Sequence, residues 1–445
     1  MHDGTASSMT APPAVPGEAG LVPQRAGGLL RQRDFRLFWT GETISQLGDT
    51  MARVAMPLLA VLVLHASTFV VTLLTATAYL PWLLIGLPVG AWVDRLRCRP
   101  LMIACDLVAA VLYGSLPAAA WLGVLTIGQV VAVALLAGCA DVFFGTAYQV
   151  YLPSIVTTGE LVEGNAKLLG SASAAAIGGP GAAGLLAGTI GSAAALLANA
   201  ISFLVSAACL LRIRGGGARI IPVPGSRTGI RREIAEGVRY VAGDPYLRPL
   251  TIWASLVNLG LTGYGALAVV FLVRTVGLGP GPAGLLLAAS GAGGLLGALV
   301  ARRIAARFGT ARTLLLSALG ALPFGLLIPL TGPGARLAFF VSGLLISASG
   351  VVAGSVILGS FRQTYCPPQL LGRITATMRF LLVGTNPLGA LMAGGLGTWL
   401  GVRPALWIMI GIAVLSGALL LTRTFRGLKD LPAAPPGAAA ATAQS

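Results

Sequence analysis

The sequence predicts an all-α integral membrane protein of twelve transmembrane helices, arranged as two pseudo-symmetric six-helix bundles. Three observations carry that expectation: composition, the number of apolar runs and the placement of the basic residues. Of 445 residues, 56% are hydrophobic and 10% charged, with a mean hydropathy of +0.86. A soluble domain carries about a quarter of its residues charged, so most of this chain belongs in lipid. Its 61 glycines weaken helices in water, but in lipid small residues let helices approach closely.

A bilayer core takes about 20 apolar residues per helix. Apolar runs fall at roughly 37–64, 70–92, 101–121, 126–150, 164–187 and 191–211, and resume at roughly 249–273, 282–301, 313–331, 336–361, 374–398 and 403–422. Of the 30 Lys and Arg, 26 fall in the segments on the side of the termini. Three (Arg274, Arg336, Arg403) fall on the other side, and Arg53 lies within the first run. Basic segments stay cytoplasmic, which predicts both termini in the cytoplasm of a multi-pass inner (plasma) membrane protein.

The sequence divides accordingly. Residues 1–30 and 426–445, rich in Ala, Pro and Gly, read as disordered cytoplasmic tails. The first lacks the apolar core of a signal peptide, so the first span serves as an uncleaved anchor. Residues 31–211 and 247–425 form the two six-helix bundles. Residues 212–246 form a cytoplasmic linker, with an amphipathic helix (RREIAEGVRYV) expected at the membrane surface and a break at Asp244-Pro245. The formal charge of +16 is spread in short clusters between apolar runs, a topology signal and not a nucleic-acid surface. Cys98, Cys105, Cys139, Cys209 and Cys366 lack metal or disulfide spacing.

The two halves show a weak repeat. Gly90 opens GAWVDRLRCRPLM and Gly297 opens GALVARRIAARFG, 207 residues apart, each at the end of the second span of its half. Ala301 stands where the first copy has Asp94.

These residues resemble the major facilitator superfamily, whose loop after the second helix carries a Gly-x-x-x-Asp-Arg-x-x-Arg-Arg type signature. Gly90, Asp94, Arg95 and Arg99 match it, while Arg97 and Cys98 depart from its commonest form. The opening RDFRLFWTGETISQLGDTMARVAM and the region of Asp141, Tyr151-Leu152-Pro153 and Asn165 are similar to exporters of the enterobactin and macrolide type. IGGPGAAGLL is a partial antiporter motif: Gly179, Pro180 and Gly184 fit it, and Ala175 and Ala183 replace glycines. The resemblance implies alternating access. It also implies a cytoplasmic gate in which Asp94 holds the N-terminus of the eleventh helix and Arg95 and Arg99 add inter-helix salt bridges. The fifth helix is then bent or broken at Gly179-Pro180-Gly184.

Charges within a span are costly, so each needs a reason. Glu42, Gln46, Asp49 and Arg53 are spaced 4, 3 and 4 residues apart on one face of the first helix, which is expected to line a central cavity. Asp49 and Arg53 can pair as ions. Either the pair is structural, or Asp49 carries a proton that movement of Arg53 releases. Asp141, midway along the fourth span, needs a partner from another helix, with Arg53 a candidate. Asp106 is expected to bond the basic loop. Asn258, Tyr264 and Asn386 are candidate substrate contacts, and Trp82, Trp121, Trp253 and Trp407 are expected in packing or at the interface.

No nucleotide loop, nucleophile elbow or metal spacing appears. The sequence therefore predicts no enzyme and no cofactor beyond a proton gradient. The expected function is a monomeric secondary transporter that exports a small, partly hydrophobic molecule (drug, siderophore or metabolite) by proton antiport, with the lipid bilayer and its substrate as partners and no nucleic acid. The alternatives are an importer or facilitator of the same fold, and a transport-dead sensor or scaffold.

Overall fold

The structure, a computed structural model, describes residues 28–93, 96–214, 230–422, 424–425 and 427–434. Among these there is no strand. In chain order the helices are α1 (Arg33–Leu62), α2 (Thr68–Leu84), α3 (Gly86–Val93), α4 (Cys98–Trp121), α5 (Ile127–Ile155), α6 (Leu161–Thr189), α7 (Ser192–Arg212), α8 (Ile230–Gly243), α9 (Leu247–Val270), α10 (Pro280–Phe308), α11 (Thr310–Leu315), α12 (Leu337–Tyr365), α13 (Pro368–Trp399) and α14 (Val402–Leu415). A π-helical turn extends α9 through Thr275, and π and 3-10 turns carry α11 on through Leu330. Among the described residues nine helices are long and apolar enough to cross a membrane. Three more pack among them: the charged α1, the Gly/Ala-rich α6 and the shorter apolar α2.

Local chemistry sets the helix ends. Ser67 and Thr126 cap α2 and α5 by accepting the backbone N–H groups of Val70 and Gln129. A Thr157/Glu160 capping box precedes α6. Gly191 and Gly401, at φ +111° and +93°, occupy the left-handed conformation that opens α7 and α14.

α1 packs on α6 and α7, α4 on α5 and α7, and α2 on α5. In the later series α9 packs on α13 and α14, and α10 on α12. The two series meet along α2/α13 and α6/α10, where side chains are nearly absent. A Cβ added at Gly284 would lie 2.4 Å from the Pro180 carbonyl oxygen and 2.7 Å from the Gly184 Cα. A Cβ at Gly394 would lie 2.1 Å from the Thr72 hydroxyl. These approaches run from mid-height to the end opposite the termini. There Arg274 Nη2 also donates to the Ala66 carbonyl at 2.6 Å.

Four expectations change here. Residues 28–30 are not a free tail, because Leu29 is buried with Phe35, Val93 and Ile213. Residues 427–434 are docked as well. Ala311 N–H donates to the Lys429 carbonyl, and Asp430 Oδ1 accepts the Thr310 N–H at 2.8 Å, which caps α11. α8 packs on α13: Glu236 pairs with Arg373, and Gly237 fits against the Arg373 backbone and the Thr377 hydroxyl. The amphipathic pattern therefore serves a protein contact. Finally, α6 runs unbroken through Pro180. The carbonyl that Pro180 leaves unbonded one turn earlier, that of Ala176, faces Gly291 of α10. The glycines thus provide close packing, and of the expected bend or break the break does not occur.

Candidate functional site

A cavity of about 800 Å³ lies between the two series of helices. α1 contributes Glu42, Gln46, Asp49 and Arg53, so the spacing read from the sequence does place all four side chains on one cavity-facing stripe. α4 adds Asp106 and Tyr113, α5 adds Asp141, Phe144 and Tyr148, and α2 adds Tyr79 and Trp82. The wall from α9 and α13 is mostly apolar or small, with Leu261, Thr262, Gly265, Ala266 and one charge, Arg379.

The hydrogen bonds differ from the pairing expected of the sequence. Arg53 Nη1 donates to the Tyr79 hydroxyl at 2.9 Å, and no Asp49–Arg53 ion pair is formed. A spacing of four allows the pair, but the tyrosine on α2 offers the guanidinium a partner inside the cavity. Asp141 is not bound by Arg53 either, since its Oδ2 accepts Trp82 Nε1–H at 2.8 Å. Trp82 is therefore a cavity residue and not an interfacial one, and Arg379 stacks on its ring at 5.2 Å. Arg379, Trp82 and Asp141 thus form a chain from α13 through α2 to α5. Gln46 Nε2 donates to Glu42 Oε1 at 2.7 Å.

Asp106 faces this cavity with Ser206 of α7 beside it, rather than the basic loop. It is 1% exposed, and its Oδ2 has no hydrogen-bond partner among the described residues. Asp49 likewise has no hydrogen-bond or ion-pair partner among the described residues, and it lines the open space.

The three candidate substrate contacts lie elsewhere. Asn258 Nδ2 donates to the Leu382 carbonyl at 2.7 Å and to Asn386 Oδ1, which also accepts from Thr262 at 3.0 Å. The pair clamps α9 to α13. Tyr264 is buried in the packing of the later helices, its hydroxyl unpartnered among the described residues. Of the gate residues, Asp94 and Arg95 lie outside the described residues. Arg99 forms no salt bridge with any of the described residues, of which Asp94 is not one. It donates to the carbonyls of Leu210 and Leu211, both at 2.8 Å, and so closes the C-terminal end of α7. A Cβ at Gly90 would meet none of the described residues within 4 Å, whereas one at its repeat partner Gly297 would lie 2.2 Å from the Ser349 carbonyl. Gly179 and Gly184 do mark contacts: added Cβ atoms there would lie 2.0 Å from Thr50 Oγ1 and 2.7 Å from the Pro280 carbonyl.

Among the described residues, helices long and apolar enough to cross a membrane surround a polar cavity, an arrangement suited to a membrane transporter. The chain belongs to the major facilitator superfamily, and the model described as transmembrane secretion effector matches residues 27–435. It is 26% identical over 408 residues to an MFS-type transporter of Bacillus subtilis, YfiS, covering 87% of this chain and 93% of that one. It is 29% identical over 365 residues to the multidrug efflux pump Tap of Mycolicibacterium fortuitum, covering 80% and 87%. Among solved structures it is similar to a variant of the nucleoside transporter NupG, with a TM-score of 0.74 at 10% identity, covering 87% of this chain and 99% of that one. It is also similar to a bacterial homologue of the iron transporter ferroportin, with a TM-score of 0.69 at 16% identity, covering 89% and 99%. Those structures share its fold.

Proposed function

We propose that this transporter exports a small, partly hydrophobic molecule by alternating access, with a proton moving in the opposite direction. The observation that carries the reading is Asp49, a carboxylate with no hydrogen-bond or ion-pair partner among the described residues, on the wall of a cavity between two series of helices. A carboxylate within a span and without a fixed counter-ion binds either a proton or a cationic group. A site that can hold one or the other, but not both, is what antiport requires. Arg53 stands one turn from Asp49 but is held by Tyr79. A rocking motion that shifts α2 against α1 moves that cation relative to the carboxylate and alters which occupant Asp49 prefers.

A twelve-span arrangement is supported by counting α1, α2 with α3, and α6 alongside the nine apolar spans. Six spans precede α8 and six follow it, with both termini on the basic, cytoplasmic side. Contacts concentrated from mid-height to the far end support a state open to the cytoplasm. The similarity to Tap pumps supports export of drug-like molecules. The aromatic lining (Tyr79, Trp82, Phe144, Tyr148) supports a partly hydrophobic cargo. The chain acts as a monomer in the inner membrane.

The test is accumulation of dyes, antibiotics and siderophores in an efflux-deficient host, with and without a protonophore. Export predicts that the wild type lowers accumulation of at least one compound and that the protonophore cancels this. Raised accumulation makes the protein an importer. No change with any compound, in cells whose membranes contain the protein, favours a sensor.

A further inference from the structure

The charges of the cavity are not balanced where they stand. Of its four carboxylates, Glu42 is bonded by Gln46 and Asp141 by Trp82. Asp49 has no hydrogen-bond or ion-pair partner among the described residues, and Asp106, buried in the same wall, has an unpartnered Oδ2. Of its two cations, Arg53 is held by Tyr79. Arg379, on the opposite wall, is exposed to the cavity and has no carboxylate or carbonyl partner among the described residues, only the face of Trp82 at 5.2 Å. One open cavity therefore has an uncompensated negative pole on α1 and α4 and an uncompensated positive pole on α13. Charge in a low-dielectric setting is strongly penalised unless paired, and the guanidinium is built to accept a carboxylate through two donors.

Resting on the reading of this cavity as the transport site, we propose that its cargo is an aryl-bearing zwitterion. The ammonium and carboxylate of one charged head lie between Asp49, with Asp106 behind it, and Arg379, and the aromatic body lies alongside against Trp82 and Tyr148. A purely cationic ligand leaves Arg379 uncompensated, and a purely anionic one leaves the carboxylates so. Because the two poles belong to different series of helices, this ligand bridges the walls that must part when the cavity changes sides.

Three dansyl compounds isolate the charges. ε-Dansyl-lysine carries both an ammonium and a carboxylate, dansylcadaverine is the same skeleton without the carboxylate, and 6-(dansylamino)hexanoate is the same skeleton without the ammonium. Their fluorescence on binding to the purified full-length protein in nanodiscs gives three affinities. The expected result is that ε-dansyl-lysine binds at least about tenfold more tightly than either relative, the worth of one charge-assisted contact. Arg379→Gln should bring the ratio of ε-dansyl-lysine to dansylcadaverine near one, and Arg379→Lys should keep most of it. Equal affinities for the three in the wild type overturn the proposal, as does a ratio unchanged in Arg379→Gln, or no binding of any of them. The wild-type ratio stands as a test even if the variant does not fold. Loss of the exporter reading in cells, with the binding ratio intact, would remove the direction of transport and leave this site standing.

Discussion

The two walls of the cavity are built from comparable polar residues put to different uses. On the wall before residue 213, acidic side chains face open space, and two of them, Asp49 and Asp106, have at least one oxygen without a partner among the described residues. Among the helices after residue 247 the polar side chains Asn258, Thr262 and Asn386 bond one another and the Leu382 carbonyl, and so hold α9 to α13. No acidic residue occurs between Leu247 and Leu421. One series of helices therefore offers titratable chemistry, and in the other the polar side chains tie α9 to α13. The repeat shows the same division. Gly297 is pressed onto the Ser349 backbone, whereas a Cβ at Gly90 would meet none of the described residues within 4 Å.

The largest expected effect tests the chemical wall. Asp49→Asn should bring accumulation to the level of cells without the protein, while membrane insertion, read by blotting, stays at the wild-type level. An active Asp49→Asn exporter would move the proton site to Glu42, Asp106 or Asp141. The next effect concerns the seam between the two series of helices, where α6 meets α10. Gly284→Leu drives a side chain into the Pro180 and Gly184 backbone and should cost about 1–3 kcal/mol, as overpacking does. Its readout is a lowered unfolding midpoint in detergent.

Asn386→Ala removes the acceptor shared by Asn258 and Thr262 and should cost about 1 kcal/mol. Because Asn386 does not line the cavity, the affinity for cargo should change less than the unfolding midpoint. The reverse pattern would return Asn386 to substrate contact. Asp430→Ala uncaps α11 and should likewise cost about 1 kcal/mol or less. Gly90→Ala should leave both stability and export unchanged, since none of the described residues lies within 4 Å of the added methyl. A strong effect would mean that Gly90 is pressed in another state of the cycle.

Much of this was legible in the sequence because lipid makes local patterns decisive. Each apolar run became helical, the second as the pair α2 and α3, and the 4-3-4 spacing of Glu42 to Arg53 put four side chains on one face. What escaped depends on contacts between distant segments. The partner of Asp141 is Trp82, 59 residues earlier, and nothing local to either residue marks the bond. The Asp49–Arg53 spacing was read correctly as proximity but wrongly as a pair, because Tyr79 competes from α2. Arg379 counted as a topology-setting charge because the apolar run starts near residue 374. The helix starts at Pro368, which carries Arg379 up into the cavity. The only signal that could have found it is its place three turns inside a helix that begins before its apolar stretch. The polar tail residue Asp430 reads as solvent-facing, yet it caps a helix 120 residues earlier.

The central claim, that proton movement through the acidic wall drives the cargo, is tested most directly in proteoliposomes with an acidic lumen and a lumenal pH dye. A compound that the protein exports from cells is added outside. The account predicts a compound-dependent rise in lumenal pH for the wild type and none for Asp49→Asn. Entry of the compound without any change in lumenal pH, or identical traces for the two proteins, would contradict it.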